Sequence, residues 1–261
     1  MTWRRSALPL ALLSLVPLAG CGGGDAAPAV LVPLPSPPRG EQPAATAPSA
    51  AAAPEAEAAA RTAPGQLTVQ ATRTTALHAS PGGPVVARVA PRTEFGSATL
   101  LPVVRRRGSW LGVISSALPN GRLGWISTSA ALVAYSSPYS VVASLRDRRV
   151  VVRHDGRVVL RFPVAVGGST TPTPTGRFAV TDKLLTHDPA SPYGCCILAL
   201  SAHQPNVAQG WGGGTRVAIH ATDLPGTIGT AASLGCLRAP AEDARRLVHT
   251  IPLGTVVTIR A

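Results

Sequence analysis

Residues 217–238 read V-A-I-H-A-T-D-L-P-G-T-I-G-T-A-A-S-L-G-C-L-R, and this stretch decides how the second half of the chain folds and what it does. His220 closes a short apolar run that is typical of a strand. Cys236 follows 16 residues later in a tight S-x-G-C-x-R turn. If the fold brings these two side chains together, they supply a thiol nucleophile and an imidazole base.

The residues around this pair suit the same chemistry. A free thiol has a pKa near 8.5, so a base such as His220 raises the reactive fraction of Cys236 and can return the proton to a leaving amine. Gly235 allows a tight backbone turn, so that the N–H groups of Gly235 and Cys236 can face a developing oxyanion. Arg238 either orders the loop, binds a substrate carboxylate or forms a structural salt bridge. Ser233 either positions the imidazole or caps the turn.

Residues 137–261 contain two further signals, which are Thr173-Pro174-Thr175-Gly176-Arg177-Phe178 and the run from Ile219-His220 to Cys236-Leu237-Arg238. Together they resemble the L,D-transpeptidase catalytic domain, which is also called the YkuD domain. The resemblance implies that the enzyme binds a peptidoglycan tetrapeptide stem and that Cys236 forms a thioester at the diamino acid of position three. The side-chain amine of a second stem then forms a 3→3 cross-link, whereas water in its place gives carboxypeptidase activity.

The resemblance also assigns substrate-binding positions. Tyr193 and Gly194 lie in a loop that lines the stem pocket, and Leu234 stands where many family members carry a second histidine. No cofactor is implied, and no cysteine–histidine cluster has zinc spacing, so we expect no metal. A non-catalytic wall-binding lipoprotein with a decayed catalytic domain is the alternative, and the intact His220 and Cys236 argue against it.

We predict a mainly β chain with two folded units. In residues 65–134, short alternating runs and the turn signal Asn120-Gly121 predict a small barrel with a two-residue hairpin. The pattern around Trp110 and Trp125 resembles bacterial Src-homology-3-like domains. In related wall enzymes such domains serve as binding or spacing modules.

Residues 137–261 are predicted to form a β-rich catalytic domain with one clear helix. Strands fit residues 176–181, 197–201, 216–220 and 255–259, and Asp155-Gly156 predicts a hairpin turn. Pro240, two acidic residues and an apolar stripe predict a helix from Pro240 to about Thr250. A parallel α/β sheet is disfavoured because no alternating helices appear.

The N-terminal residues indicate export. Residues 1–21 have a positive start and a short apolar run, and Leu18-Ala19-Gly20-Cys21 resembles the lipobox of bacterial lipoproteins. That resemblance implies a lipid on Cys21, and the alternative is an ordinary signal peptide cut nearby. Residues 22–64 are mostly alanine and proline and predict a disordered tether. We therefore expect a lipid-anchored protein that faces the cell wall or periplasm.

The charge of the chain points to anionic partners. The formal net charge is +12, and Lys183 is the only lysine. Because an exported lipoprotein meets little nucleic acid, we expect peptidoglycan stem peptides, wall polymers and lipid head groups as partners, and no nucleic acid.

Two adjacent cysteines precede the catalytic motif. Cys195 and Cys196 are hard to bridge to each other without strain, and neighbouring strand residues point to opposite faces. We expect one of these two cysteines to face the core and the other to face the active cleft. A disulfide from either of them to Cys236 would silence the enzyme.

Overall fold

The computed structural model describes residues 65–130, 132–188 and 190–261, all within one compact unit. The predicted signal segment, the lipidation site Cys21 and the tether lie outside the described residues. The described part is mainly β, with a single α-helix. None of its helices has both the length and the apolar character needed to span a membrane.

The first part of the described chain forms a seven-stranded antiparallel sheet. Its spatial order is β3-β2-β6-β5-β4-β1-β7, and alternate residues of these strands enclose an apolar core that includes Leu77, Leu111 and Ile126. The strands are β1 (Gln66–Ala71), β2 (Thr75–His78), β3 (Val85–Val89), β4 (Leu100–Arg107), β5 (Trp110–Val113), β6 (Gly124–Ser127) and β7 (Leu132–Ser137).

The second part forms an eight-stranded mixed sheet in the order β10-β9-β8-β15-β11-β12-β13-β14. The pairs β8–β15 and β13–β14 are parallel, and the other pairs are antiparallel. The strands are β8 (Tyr139–Ser144), β9 (Arg149–His154), β10 (Arg157–Pro163), β11 (Gly176–Leu185), β12 (Cys196–His203), β13 (Arg216–His220), β14 (Leu237–Arg238) and β15 (Val256–Arg260).

Helix α1 (Ala241–Thr250) covers one face of the second sheet. Pro240 stands at its N-cap, and Glu242 and Asp243 in the first turn favour the positive end of the helix. Leu247 and Val248 are buried on the inward stripe and join the core that β11, β12 and β13 supply. This packing leaves the opposite face of β12 and β13 for the site described below.

Several local predictions are confirmed. Strand β13 has the predicted bounds, the helix begins one residue after Pro240, and Asp155-Gly156 forms the two-residue turn between β9 and β10 with positive φ at both positions. The prediction of a two-residue hairpin at Asn120-Gly121 is wrong. Strands β5 and β6 do pair, but residues 114–123 connect them, because the alternating pattern ends well before the turn that Gly121 makes.

Candidate active site

The sheet topology explains how residues distant in sequence come together at the site. Strand β13 ends at His220, and β14 begins directly after Cys236 and pairs with β13 in parallel, with Ile219 opposite Leu237. Side chains alternate along β13, so Ile219 enters the main core while Ala218 and His220 share the other face. The thiol of Cys236 lies on that face, since it accepts a hydrogen bond of 3.3 Å from the backbone N–H of Ala218.

His220 is held in one tautomer. Its ring is buried, and Nδ1 bonds the backbone carbonyl oxygen of Ala221. A carbonyl oxygen can only accept, so Nδ1 carries the proton and Nε2 keeps its lone pair for a substrate or a thiol proton. The ring of Tyr193 packs edge-on against the imidazole, with a centroid distance of 4.8 Å.

Cys236 carries the one free thiol among the described residues, and 97% of the residue is withdrawn from solvent. The thiol donates to the side-chain oxygen of Gln209 at 3.2 Å, and no hydrogen bond joins it to His220 in this structure. The indole of Trp211 packs in the same apolar cluster as the sulfur. Gln209 and Trp211 therefore cover the thiol of Cys236 in this structure.

Burial sets the protonation of both groups. Desolvation, with a smaller contribution from the positive charge of Arg238, lowers the pKa of His220 to about 4, although the Ala221 carbonyl acts in the opposite direction. Desolvation likewise raises the pKa of Cys236 to about 12, against the opposing effects of the Ala218 N–H and Arg238. Thiol and imidazole are thus both neutral at pH 7.

The turn before the nucleophile is built by Ser233. Its hydroxyl accepts from the backbone N–H of Gly235 at 3.1 Å and donates to the carbonyl oxygen of Cys236. Gly235 has φ of +111°, a region that side chains avoid. The Gly235 N–H is therefore engaged by Ser233 in this structure, whereas the Cys236 N–H makes no hydrogen bond with any described residue.

Arg238 forms no ion pair with the described part of the chain. The one hydrogen bond that its guanidinium makes to the described residues is a long one, 3.5 Å, to the hydroxyl of Thr227. Burial raises the pKa of Cys236 and of Tyr193 and lowers that of His220, and the guanidinium lies close enough to all three for its positive charge to act in the lowering direction on each. Of the three roles considered for Arg238, the structural salt bridge is absent here, and the guanidinium remains open to an anionic group.

The loop before β12 brings Tyr193 to the site through Gly194. Gly194 has φ of +58°, and a Cβ there would lie 2.6 Å from the Cβ of Ala221. The glycine thus lets the loop approach the end of β13 closely, which seats Tyr193 against His220. Leu234 is 54% exposed beside the nucleophile, and its carbonyl oxygen accepts from Gln209 at 3.1 Å.

Gln209 and Trp211 are site residues that no sequence motif predicted. Both lie in residues 204–215, between β12 and β13, where Gly210 and residues 212–214 make the run glycine-rich. A glycine-rich connection directly before the strand that ends at the candidate base His220 was the available signal, since functional side chains concentrate on such loops. Within the described ranges, no group of three or more potential metal ligands occurs.

The expectation for the adjacent cysteines is wrong in part. Cys195 and Cys196 form a disulfide with each other, and Cys236 stays free. Cys196, the first residue of β12, is buried in the main core as predicted for one of the two. Cys195 precedes the strand, so strand alternation does not apply to it, and it packs against the same core rather than facing the active cleft.

The second part of the chain is similar in sequence to known proteins. The family model of the YkuD L,D-transpeptidase catalytic domain matches residues 138–259. The YkuD protein of Bacillus subtilis (strain 168) is 34% identical over 125 residues, which cover 48% of this chain and 68% of that protein. The chain belongs to the YkuD family of L,D-transpeptidases.

A second relative and a solved structure are also similar to this chain. The YkuD protein of Bacillus licheniformis is 34% identical over 122 residues, which cover 47% of this chain and 66% of the relative. An X-ray structure of an L,D-transpeptidase from Mycobacterium tuberculosis H37Rv is 18% identical, covers 53% of this chain and 72% of that one, and has a TM-score of 0.41. The family assignment rests on the sequence matches, and residues 138–259 are its L,D-transpeptidase catalytic domain.

Proposed function

We propose that this protein is a peptidoglycan L,D-transpeptidase that forms 3→3 cross-links through a thioester on Cys236. The observation that carries the proposal is a free thiol on the same sheet face as a buried histidine whose Nδ1 is fixed by the Ala221 carbonyl. This arrangement leaves Nε2 as the proton acceptor, which is what a general base beside a thiol requires.

The acylation step follows from these groups. The sulfur of Cys236 attacks the carbonyl carbon on the L-centre of the third stem residue while Nε2 of His220 takes the thiol proton. The carbon–nitrogen bond to the terminal D-alanine then breaks, and His220 returns the proton to the leaving amine. The free N–H of Cys236 is the donor available to the oxyanion, and losing such a donor typically costs about 3–4 kcal/mol of barrier.

The second step releases the enzyme. The side-chain amine of an acceptor stem attacks the thioester carbon and loses a proton to His220, and the thiol of Cys236 forms again. The open guanidinium of Arg238 suits a substrate carboxylate, and the exposed Leu234 and the ring of Tyr193 border the path to the sulfur. Water in place of the amine would give carboxypeptidase activity from the same thioester.

The resting thiol must exchange partners before it reacts. It now donates to Gln209, and its raised pKa keeps it protonated. We infer that substrate binding displaces Gln209, so that the thiol turns to Nε2 of His220. Because residues 204–215 are outside any strand and rich in glycine, they can move without breaking the sheet.

Acylation by a carbapenem tests the nucleophile, because its strained amide traps an activated thiol. The purified protein is incubated with the drug, and intact mass is measured for the wild type and for Cys236→Ala. We expect one adduct per wild-type chain and none on the variant. His220→Gln should slow acylation by about 100-fold or more. An adduct on Cys236→Ala, or none on the wild type, would defeat the proposal.

Product analysis separates cross-linking from trimming. Tetrapeptide muropeptides are incubated with the enzyme, with and without an added amine acceptor. Dimers joined 3→3 indicate transpeptidation, and tripeptides alone indicate carboxypeptidase activity. Neither product, together with binding to peptidoglycan, would favour a non-catalytic wall-binding protein.

The remaining parts of the chain suit a function at the cell wall. We infer that residues 65–134 form a Src-homology-3-like module, which the seven short antiparallel strands support. We also propose that Cys21 is lipidated and that residues 22–64 hold the folded part away from the membrane outside the cytoplasm. Cys21→Ser should release the protein from the membrane fraction, and retention of the variant would contradict lipid anchoring.

A further inference from the structure

The loop between β3 and β4 reaches from the first sheet to the second. Residues 90–99 form this loop, and three consecutive side chains of it contact the catalytic domain. Thr93 donates to the carboxylate of Asp182, Glu94 pairs with Arg216 at 2.5 Å, and the ring of Phe95 stacks on Trp211 with a centroid distance of 5.6 Å. Each contact joins residues at least 89 positions apart in sequence.

Arg216 is the centre of this contact. Only 4% of the residue is exposed, and its guanidinium donates to the fully buried Asp182 at 3.0 Å and to the hydroxyl of Thr181 at 2.9 Å. The same guanidinium stands 5.3 Å from the ring centre of Trp211 and 5.5 Å from that of Phe95. Arg216 and Phe95 therefore hold Trp211 through cation–π and stacking contacts.

Trp211 in turn lies against the nucleophile. Its indole packs with Cys236 and Ala218 in one apolar cluster, and its buried Nε1 has no hydrogen-bond partner in the described chain. Ring contacts therefore hold the indole, and its N–H is close enough to the sulfur to oppose the rise of the thiol pKa. Gln209, two residues earlier, accepts the hydrogen bond of the thiol. Because Trp211 and Gln209 both lie in residues 204–215, the position of Trp211 affects how these residues cover the sulfur of Cys236.

We propose that Glu94 and Phe95 are positioning residues of the active site, which hold Trp211, and through it Gln209, over Cys236. The inference rests on the proposed function, since the cover matters to the reaction only if Cys236 is the nucleophile. Residues 204–215 have no strand partner of their own, and side-chain hydrogen bonds anchor them to Thr170, Pro172 and Leu234. Trp211 is held instead by its ring contacts with Phe95 and Arg216, and Glu94 pairs with that arginine. Through these contacts the first sheet is a component of the catalytic site as well as a separate module.

The test measures access to the thiol in the folded protein. The full chain is treated with iodoacetamide, and alkylation is read by mass from the peptide that carries Cys236. Phe95→Ala should raise the alkylation rate by about three- to tenfold, because a stacked aromatic pair is lost. Glu94→Gln should raise it by about twofold, because that carboxylate is largely exposed. Phe95→Tyr keeps the ring and should restore the wild-type rate.

Two further readouts separate positioning from general loss of stability. Val69→Ala removes buried methyl groups from the core of the first sheet and leaves residues 90–99 unchanged. It therefore lowers the folding stability, as Phe95→Ala does, but keeps the contacts of Phe95 and Glu94. In Phe95→Ala the pH profile of alkylation should shift toward lower pH, because less burial lowers the thiol pKa, whereas Val69→Ala should keep the wild-type profile.

The outcomes are distinct. Unchanged alkylation in both Phe95→Ala and Glu94→Gln, or an equal increase in Val69→Ala, would overturn the proposal. If Phe95→Ala does not fold, Phe95→Leu removes the ring while keeping an apolar side chain and answers the same question. Iodoacetamide reports access to the sulfur whether or not Cys236 reacts with stem peptides. A failure here is therefore distinguishable from a failure of the proposed function, which the carbapenem adduct tests.

Discussion

Replacing His220 by glutamine should remove a defined part of the acid sensitivity of the fold. His220 is buried as a neutral ring, and its pKa lies near 4 mainly because burial disfavours the charged form. In the unfolded chain the same ring has a pKa of 6.5. Between these values the unfolded state binds a proton that the folded state does not bind, so folding stability falls as the pH falls.

The magnitude follows from the two pKa values. The stabilising contribution is fully present above pH 6.5 and is lost progressively as the pH falls toward 4. The difference between 6.5 and about 4, at about 1.4 kcal/mol for each pH unit, corresponds to about 3–4 kcal/mol in full, of which about 3 kcal/mol is lost between pH 7 and pH 4. Glutamine does not titrate, and its amide can still donate to the Ala221 carbonyl, so the substitution isolates the charge.

The assay is urea unfolding at pH 7 and at pH 4 for the wild type and His220→Gln, with the disulfide intact. Carboxylates and the other histidines titrate alike in both proteins, so their effects cancel when the two pH-dependent losses are subtracted. We expect the wild type to lose about 3 kcal/mol more than the variant between these two pH values. His249→Gln, at an exposed position in the last turn of α1, controls for the loss of an imidazole as such.

Equal losses in the wild type and in His220→Gln would refute the reasoning. Such a result would mean that the folded protein accepts the proton on His220 as readily as the unfolded chain does. The ring would then not be held as a neutral acceptor, and the general-base role argued from its tautomer would lose its physical basis.

Three further predictions concern the same region. Alkylation of Cys236 should rise about tenfold for each pH unit between 7 and 10, because burial raises the thiol pKa, and levelling off near pH 9 would contradict this. Gly194→Ala should destabilise the protein by about 1–3 kcal/mol in urea unfolding, since φ is positive and the new methyl group meets the end of β13. Gly226→Ala, where no atom lies within 4 Å, should change the free energy of unfolding by less than about 0.5 kcal/mol. Arg216→Met should cost about 3–5 kcal/mol, because it leaves Asp182 charged and unpaired in the interior. Adding Asp182→Asn should recover part of that loss, and no recovery would show that the buried charge is not the cause.

The local pattern of the chain was enough to predict much of the catalytic domain. The apolar run before His220 became β13 with its predicted bounds, and Asp155-Gly156 became a tight turn because both positions tolerate positive φ. The stripe that includes Leu247 predicted helix α1 because its spacing follows the helical period. The strand, the turn and the helix each depend on residues that are close in sequence, so the sequence pattern is enough to predict them.

Other predictions failed where local pattern was a poor guide. Asn120-Gly121 has the composition of a two-residue hairpin, yet the strands that flank it end several residues away, so it closes a longer connection. The second failure concerns Cys195 and Cys196, which form a disulfide although they are neighbours, because β12 begins only at Cys196. Alternation separates neighbouring side chains only within a strand, and Cys195 stands just outside it.

The sequence by itself indicated the thiol–imidazole pair, the family and the strand that ends at His220, because short-range periodicity and turn chemistry encode them. Only the tertiary structure decided what surrounds the sulfur. Gln209 and Trp211 cover it from a loop without periodicity, and Phe95 reaches that loop from the other sheet. Such distant contacts bury the thiol and the imidazole, and this burial sets the protonation of both groups. No local sequence pattern indicates these contacts.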